Sequence, residues 1–188
     1  MHADIQGRLC SVDDLRPLLE QGHEIGCHTF HHYDAWNTSR SVFERSIVKN
    51  AEALATLAPE VRFRTFSSPM SPPRPLNKRS AGRHFACSRG GGQTFNVETA
   101  DRDYLHAFFL EQARNNLDLV KDVIDRNSTA RGWLILATHD VDDRPTPYGC
   151  SPEFFDQVVR HVVKSGSRIL PVADALDVLQ GSPSAAQH

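Results

Sequence analysis

Short apolar runs alternate with amphipathic stretches along the chain, and this alternation predicts an α/β fold built on a parallel sheet. The clearest run, WLILAT, is almost wholly apolar, which is typical of a strand covered on both faces. Five such runs are predicted as strands, at 23–27, 61–66, 84–88, 133–138 and 168–172.

Apolar residues at helical spacing predict five helices between these runs. Ser11 as the N-cap and Gly22 as the stop bound the first helix, and Ser151 and Pro152 provide the cap and the first residue of the fourth. The helices are expected at about 12–21, 40–58, 101–124, 152–165 and 173–180.

The length and continuity of the chain indicate one domain over residues 1–188, because no linker or repeat divides it. Its end, GSPSAAQH (181–188), is small and polar and is expected to be a disordered tail. No apolar run approaches the roughly 20 residues that cross a bilayer. No secretory signal follows Met1, so the visible sequence indicates a cytoplasmic protein unless the natural N-terminus lies upstream.

Composition excludes several classes of protein. The hydrophobic fraction of 39% and the net charge of −2 predict no general attraction to nucleic acid or to an anionic membrane. The four cysteines, Cys10, Cys27, Cys87 and Cys150, form no CxxC pair, which argues against a zinc ribbon or a disulfide framework.

In GHEIGCHTFHH, three histidines lie within five positions, directly after the first predicted strand. Functional residues of parallel α/β proteins gather where strands end. If a helix starts near Thr29, His28 and His32 are four apart on one face, and two imidazoles can reach one cation. His31 then points elsewhere, and Cys27 is expected to be a small buried residue rather than a ligand. The spacing alone fits a solvated polar loop as well as a metal site.

The longer string LLEQGHEIGCHTFHH resembles the second conserved block of the polysaccharide deacetylase family (the NodB homology domain, carbohydrate esterase family 4). There a GHEIGxHTxxH string supplies two metal-binding histidines. The resemblance implies that His28 and His32 bind a divalent transition metal, with zinc in first place and cobalt, nickel or manganese as alternatives. It leaves His31 out of the ligand set.

Two further strings resemble blocks of the same family. FRTFSSPMS is similar to the third block, in which a strand runs into a loop that walls the substrate groove; Phe66 and Pro69 fit its F-x-x-P variant. GWLILATHDV is similar to the last block, which implies that His139 is the catalytic acid and that Leu136 lies beside the substrate. Arg89 is a further candidate for a substrate-binding arginine.

One block of the family has no counterpart here. Members open with a strand ending in T-[FY]-D-D, whose aspartates act as base and metal ligand. The only such pair, Asp13-Asp14, lies in the first turn of a predicted helix, where acids stabilise the helix N-terminus. The implied fold is a distorted (β/α) barrel of the NodB type, N-terminally truncated by about two strands. Self-association through the exposed sheet edge is expected.

The resemblance implies a metal-dependent hydrolase that removes N- or O-acetyl groups from an acetylated carbohydrate, impaired in this short form. In a complete domain an aspartate base would activate water for attack on the acetyl carbonyl, and His139 would protonate the departing group. Two alternatives stay open. One is an amidohydrolase acting on a small N-acyl or other non-peptide C–N substrate, and the other is a non-catalytic remnant of the fold.

Overall fold

The computed structural model describes residues 12–114 and 116–181, which fall into two compact units. The larger unit takes in 12–90, 101–105 and 170–181, and the smaller unit takes in the remainder of the described chain. The helices are α1 (Val12–Glu20), α2 (Arg40–Leu57), α3 (Pro75–His84), α4 (Leu117–Ala130), α5 (Pro152–Lys164) and α6 (Val172–Leu179). The strands are β1 (Thr65–Ser67), β2 (Cys87–Arg89), β3 (Phe108–Phe109) and β4 (Leu136–Ala137), and a 3-10 helix covers Leu110–Ala113.

The larger unit is built around the parallel pairing of β1 with β2, in which Ser67 lies opposite Arg89. Cys27 forms a parallel bridge to β1, and Leu105 forms one to β2, so four chain segments lie side by side. The core beneath them is apolar and aromatic: α2 contributes Phe43 and Ile47, and α3 contributes Ala81. Its buried members are Cys27, Ala35, Phe43, Ile47, Phe66 and Ala81.

The smaller unit pairs β3 with β4 in parallel and packs α4 and α5 together. Asn116 caps α4 by accepting the Leu119 N–H at 3.0 Å, and Ser151 caps α5 by accepting the Phe154 N–H at 3.2 Å. The apolar faces of both helices meet the strands in a second core. Its buried members are Phe108, Leu110, Ala113, Val120, Val123, Ile124, Cys150, Phe154 and Val158.

The α/β class predicted from the sequence is confirmed by these elements. Closure into a barrel, a single domain over the whole chain and self-association stay predictions. The predicted cap Ser11 and the predicted tail at 182–188 lie outside the described residues. Within the described ranges, none of the helices has both the length and the apolar character needed to cross a membrane.

Most of the predicted strands are shorter than expected. The run at 23–27 contributes one bridge at Cys27, and WLILAT contributes only the two residues of β4. The run at 168–172 forms no strand: Ile169 is exposed, and Pro171, which has no N–H for a ladder, directly precedes α6 as its N-cap. Strand length depends on a partner strand, which a local pattern does not contain.

The long helix predicted over 101–124 is wrong. Its first half holds β3 and the 3-10 helix, and a new helix starts only at Leu117. Asp101, expected at its start, instead pairs with Lys78 and accepts the Asp103 N–H. Helix α3 was not predicted, although a proline at its first position and basic residues in its last turn are the usual signals of a helix. The predicted helices at the positions of α1, α2, α5 and α6 are confirmed.

Helix α6 is attached to β1 through the side chain of Glu24. One carboxylate oxygen accepts the Thr65 hydroxyl at 2.6 Å, and the other accepts the backbone N–H of Ala173 at 2.9 Å, in the first turn of α6. Arg64 adds a bidentate pair with Asp177 at 2.9 and 2.7 Å. Because Thr65 is buried, its hydroxyl depends on Glu24 for a hydrogen bond.

We therefore expect Glu24→Ala to lower the free energy of unfolding by about 1–3 kcal/mol, since it leaves a buried hydroxyl and a helix N–H without an acceptor. Urea denaturation followed by circular dichroism measures the change. Glu52→Ala, on the exposed side of α2, is the matched control and should change stability by less than about 0.5 kcal/mol. Equal effects of the two substitutions would contradict the role of Glu24.

Candidate metal centre and acid residue

The loop that follows Cys27 brings two histidines together without a helix, contrary to the sequence expectation. Thr29 and His32 both have left-handed backbones, with φ of +61° and +52°. The Thr29 hydroxyl accepts the His32 N–H at 3.1 Å, and the hydroxyl of the buried Ser46 accepts the N–H groups of Phe30 and His31 at 3.2 and 3.0 Å. The loop is thus held to α2 by hydrogen bonds rather than continued as a helix.

The Nε2 atoms of His28 and His32 lie 3.0 Å apart. Two imidazole nitrogens that each bind one cation at about 2.0–2.1 Å are separated by about 2.9–3.4 Å, so the observed distance suits a shared cation. Two neutral rings can also share one proton across this distance. The pair that the sequence singled out is therefore assembled, by a different backbone from the one expected.

The tautomer of His28 is set by the backbone of β1. Its Nδ1 lies 2.7 Å from the carbonyl oxygen of Ser67, and a carbonyl can only accept, so Nδ1 carries the proton. The Nε2 atom then presents its lone pair towards His32. A hydrogen bond from the second ring nitrogen to a carbonyl is the usual support of a histidine that binds metal.

The two imidazole nitrogens can fill two coordination positions of a divalent cation. Among residues 12–114 and 116–181, no group of three or more His, Cys, Asp or Glu side chains is placed to hold a metal ion. Cys27 is fully buried, as predicted, and its sulfur accepts a hydrogen bond from Asn50. Burial raises the pKa of the Cys27 thiol, which keeps it protonated and makes it a poor ligand.

His31 is exposed and stacks on Tyr33, with ring centroids 5.0 Å apart, so it takes no part in the pair. Trp36 is also exposed, at 52%. Asp34 connects this loop to the next one, because its carboxylate accepts the Ser71 hydroxyl at 2.5 Å. That hydrogen bond lowers the pKa of Asp34.

Arg89 lies at the same strand ends as the histidine pair. It is opposite Ser67 in the pairing of β1 with β2, and its carbonyl accepts the Ser68 N–H at 2.9 Å. Its side chain is half-buried, and burial lowers the pKa of the guanidinium. Pro69, two residues beyond β1, is fully buried, so it can shape the loop but offers no surface to a ligand.

His139 and Leu136 belong to the smaller unit. Leu136 is half-buried in β4 and packs against the core of that unit. His139 is exposed two residues beyond β4; its N–H donates to the Tyr148 carbonyl at 3.2 Å, and its ring lies 5.2 Å from the Tyr148 ring. Tyr148 is an exposed aromatic beside the candidate acid that no motif in the sequence marked.

Asp140 caps the turn that follows His139. Its two oxygens accept the Thr146 hydroxyl at 2.5 Å and the Thr146 N–H at 2.9 Å. The hydroxyl bond, more than any other contact, lowers the pKa of Asp140. Glu111, in the 3-10 helix, also belongs to this region and was not singled out by the sequence.

Comparisons with protein families and with solved structures find matches to this chain. The family model described as polysaccharide deacetylase matches residues 6–80, which include both histidines. The structure is similar to a family 4 acetyl xylan esterase from Clostridium thermocellum in complex with cobalt, with a TM-score of 0.59 and 21% identity over 92% of this chain and 72% of that one. Residues 6–80 thus match the polysaccharide deacetylase family, and the chain shares the fold of family 4 carbohydrate esterases.

Two other solved structures show the same fold. One is the Bc1960 peptidoglycan N-acetylglucosamine deacetylase, with a TM-score of 0.60 and 15% identity over 92% of this chain and 70% of that one. The other is a CE4 family pseudoenzyme from Bacillus anthracis, with a TM-score of 0.58 and 13% identity over 88% of this chain. The chain spans 50% of the length of that pseudoenzyme. No curated protein sequence matches the chain.

The cap formed by Asp140 predicts a pH dependence for the turn. The pKa of Asp140 is lower in the folded protein than in the unfolded chain. The ionised carboxylate therefore stabilises the turn fully above the unfolded pKa of about 4. This stabilisation is lost as pH falls through the pKa of Asp140 in the folded protein. We expect the Thr146 amide to be protected from hydrogen exchange at neutral pH and to lose protection only below about pH 4, relative to the intrinsic rate at each pH.

In Asp140→Ala the Thr146 amide should already be unprotected at pH 7, as measured by NMR. Asp143→Ala changes a neighbouring exposed aspartate and serves as the control. Protection that persists in Asp140→Ala would show that the turn does not depend on the carboxylate.

Proposed function

We propose that this protein is a metal-dependent deacetylase that removes acetyl groups from an acetylated carbohydrate. The observation that carries the proposal is the 3.0 Å approach of the His28 and His32 Nε2 atoms, with His28 held in one tautomer by Ser67. The match of residues 6–80 to the polysaccharide deacetylase family model supports it. So does the likeness to structures described as an acetyl xylan esterase and an N-acetylglucosamine deacetylase.

His28 and His32 would hold the cation, for which zinc is the first choice and cobalt, nickel or manganese are alternatives. When bound, such a cation polarises an acetyl carbonyl and makes water more acidic. The Ser67 carbonyl keeps the His28 lone pair directed at the cation, and Arg89, at the same strand ends, would contact the substrate. Pro69, which is fully buried, would shape the loop that follows β1, and Leu136 would act within the smaller unit.

His139 would act as the acid of the reaction. Hydrolysis joins the water oxygen to the acetyl carbon and breaks the bond from that carbon to the sugar nitrogen or oxygen. The attacking water loses one proton to solvent, and the protonated His139 ring gives its own proton to the departing atom. Reprotonation of His139 from solvent restores the acid, so the products are acetate and a free amine or hydroxyl. The exposure of His139 leaves it accessible to such a group.

A second candidate function is binding of a cation without catalysis. The specific observation in its favour is that no third ligand accompanies the histidine pair among the described residues. A pseudoenzyme is among the structures of the same fold, and a mutant of it is described as having restored enzymatic activity. The experiments below separate the two candidates.

We expect the protein to bind Zn²⁺ or Co²⁺, and His28→Ala and His32→Ala each to weaken that binding at least about tenfold, because each removes one of two donors. Isothermal titration calorimetry of protein stripped with a chelator measures the affinity. His31→Ala, which alters the exposed neighbour in the same loop, should bind as the unaltered protein does. Unchanged binding in all three variants would overturn the metal assignment.

We expect the cobalt- or zinc-loaded protein to release acetate from N-acetylated chito-oligomers only slowly, because the given sequence has no counterpart of the family's aspartate base. His139→Asn should lower kcat by about 10²–10³-fold with little change in metal affinity, since it removes only the proton donor. Acetate is quantified by a coupled assay, with small N-acyl amides as parallel substrates. Tight metal binding without acetate release from any substrate would favour the non-catalytic candidate, and release from the small amides alone would contradict the carbohydrate substrate.

A further inference from the structure

Tyr148 is an exposed aromatic residue that contacts the candidate acid. Its ring centroid lies 5.2 Å from that of His139 at an interplanar angle of 34°, and its carbonyl accepts the His139 N–H at 3.2 Å. Although Tyr148 packs against His139 in this way, 52% of the residue stays exposed. Single exposed apolar residues are common on protein surfaces, so a role for Tyr148 has to follow from how its loop is built.

The loop that carries Tyr148 is closed at its base. Val141 forms a parallel bridge to Cys150, and the Cys150 N–H donates to the Asp140 carbonyl at 3.0 Å. Inside the loop, the Asp140 carboxylate accepts the hydroxyl and the N–H of Thr146. The Thr146 hydroxyl in turn accepts the Tyr148 N–H at 3.3 Å. The backbone of Tyr148 is therefore positioned by the same carboxylate that caps the turn.

Gly149, the residue after Tyr148, leaves no room for a side chain. A β-carbon there would lie 2.7 Å from the carbonyl oxygen of Asp140 and closer still to its carboxylate. Arg114 fixes the residue before Tyr148, because it donates to the Pro147 carbonyl at 3.2 Å. An aromatic ring on a backbone held in this way loses little conformational freedom when a ligand packs on it, so less binding free energy is spent on ordering.

The chemistry of this pair of rings suits a sugar. A pyranose presents C–H groups on its face and hydroxyls at its rim, and such a face packs on an aromatic ring while the rim stays free to form hydrogen bonds. In the proposed reaction, the departing nitrogen or oxygen belongs to that sugar and has to reach the His139 ring. Because Tyr148 contacts His139, a sugar stacked on Tyr148 lies beside the proton donor.

We propose that Tyr148 is a substrate-binding residue on which the sugar ring that carries the departing atom stacks, beside His139. This inference rests on the proposed function and narrows its substrate class to acetylated pyranosides. A small N-acyl amide has no ring face for Tyr148 and gains nothing from it. Tyr148 acts on substrate binding, and the proton transfer stays with His139.

The test is an NMR titration of the protein with the trimer of N-acetylglucosamine, which requires no turnover. We expect the trimer to shift the ring resonances of Tyr148 and His139. Its dissociation constant should rise at least about tenfold in Tyr148→Ala, because that variant lacks the stacking face. Tyr148→Phe keeps the ring and should bind nearly as well as the unaltered protein. Phe155→Ala removes another exposed aromatic ring of the same unit, on α5, and should leave the affinity unchanged.

Three results overturn the proposal. In the first, trimer at about 10 mM, where even a millimolar complex is mostly formed, leaves the Tyr148 resonances unchanged. In the second, Tyr148→Ala binds the trimer as tightly as the unaltered protein. In the third, Phe155→Ala loses as much affinity as Tyr148→Ala. Thermal melts of each variant exclude unfolding as the cause.

Kinetics separate this inference from the proposed function. Where acetate release is measurable, Tyr148→Ala should raise KM for chito-oligomers and leave kcat/KM for small N-acyl amides unchanged. Trimer binding that depends on Tyr148, in a protein that releases no acetate, would support the stacking and refute the proposed catalysis. Acetate release from chito-oligomers with an unchanged KM in Tyr148→Ala would support the catalysis and refute the stacking.

Discussion

The backbone of Ser67 joins the sheet of the larger unit to the candidate metal centre. Its N–H donates to the Cys27 carbonyl at 2.9 Å, and its carbonyl accepts the Nδ1 proton of His28 at 2.7 Å. One peptide therefore positions the segment before the histidine and the histidine ring itself. The direction of the His28 lone pair therefore depends on the position of β1.

The histidine pair and His139 are positioned by different interactions. The histidine pair depends on an irregular loop whose N–H groups are satisfied by the hydroxyls of Thr29 and Ser46. The environment of His139 depends instead on strand register and on a capped turn. Both follow the general arrangement of parallel α/β proteins, in which regular elements end where functional side chains begin.

The sequence predicted those features that neighbouring residues determine. Ser151, Pro152 and Gly166 mark the ends of α5 because caps and left-handed stops act within one turn. The apolar residues between 105 and 124 were misassigned, because their spacing suits a helix while Phe108 and Phe109 pair with a strand almost 30 residues away. Tyr148 could not have been chosen from the sequence, since the approach of its ring to His139 is a tertiary property.

The left-handed backbone at His32 affects how this loop tolerates substitution. A side chain with a β-carbon is disfavoured at φ of +52°, and glycine at such a position is favoured by roughly 1 kcal/mol. The loop therefore stores strain at the point where the candidate ligand is presented. A glycine here would thus exchange the candidate ligand for a more relaxed loop.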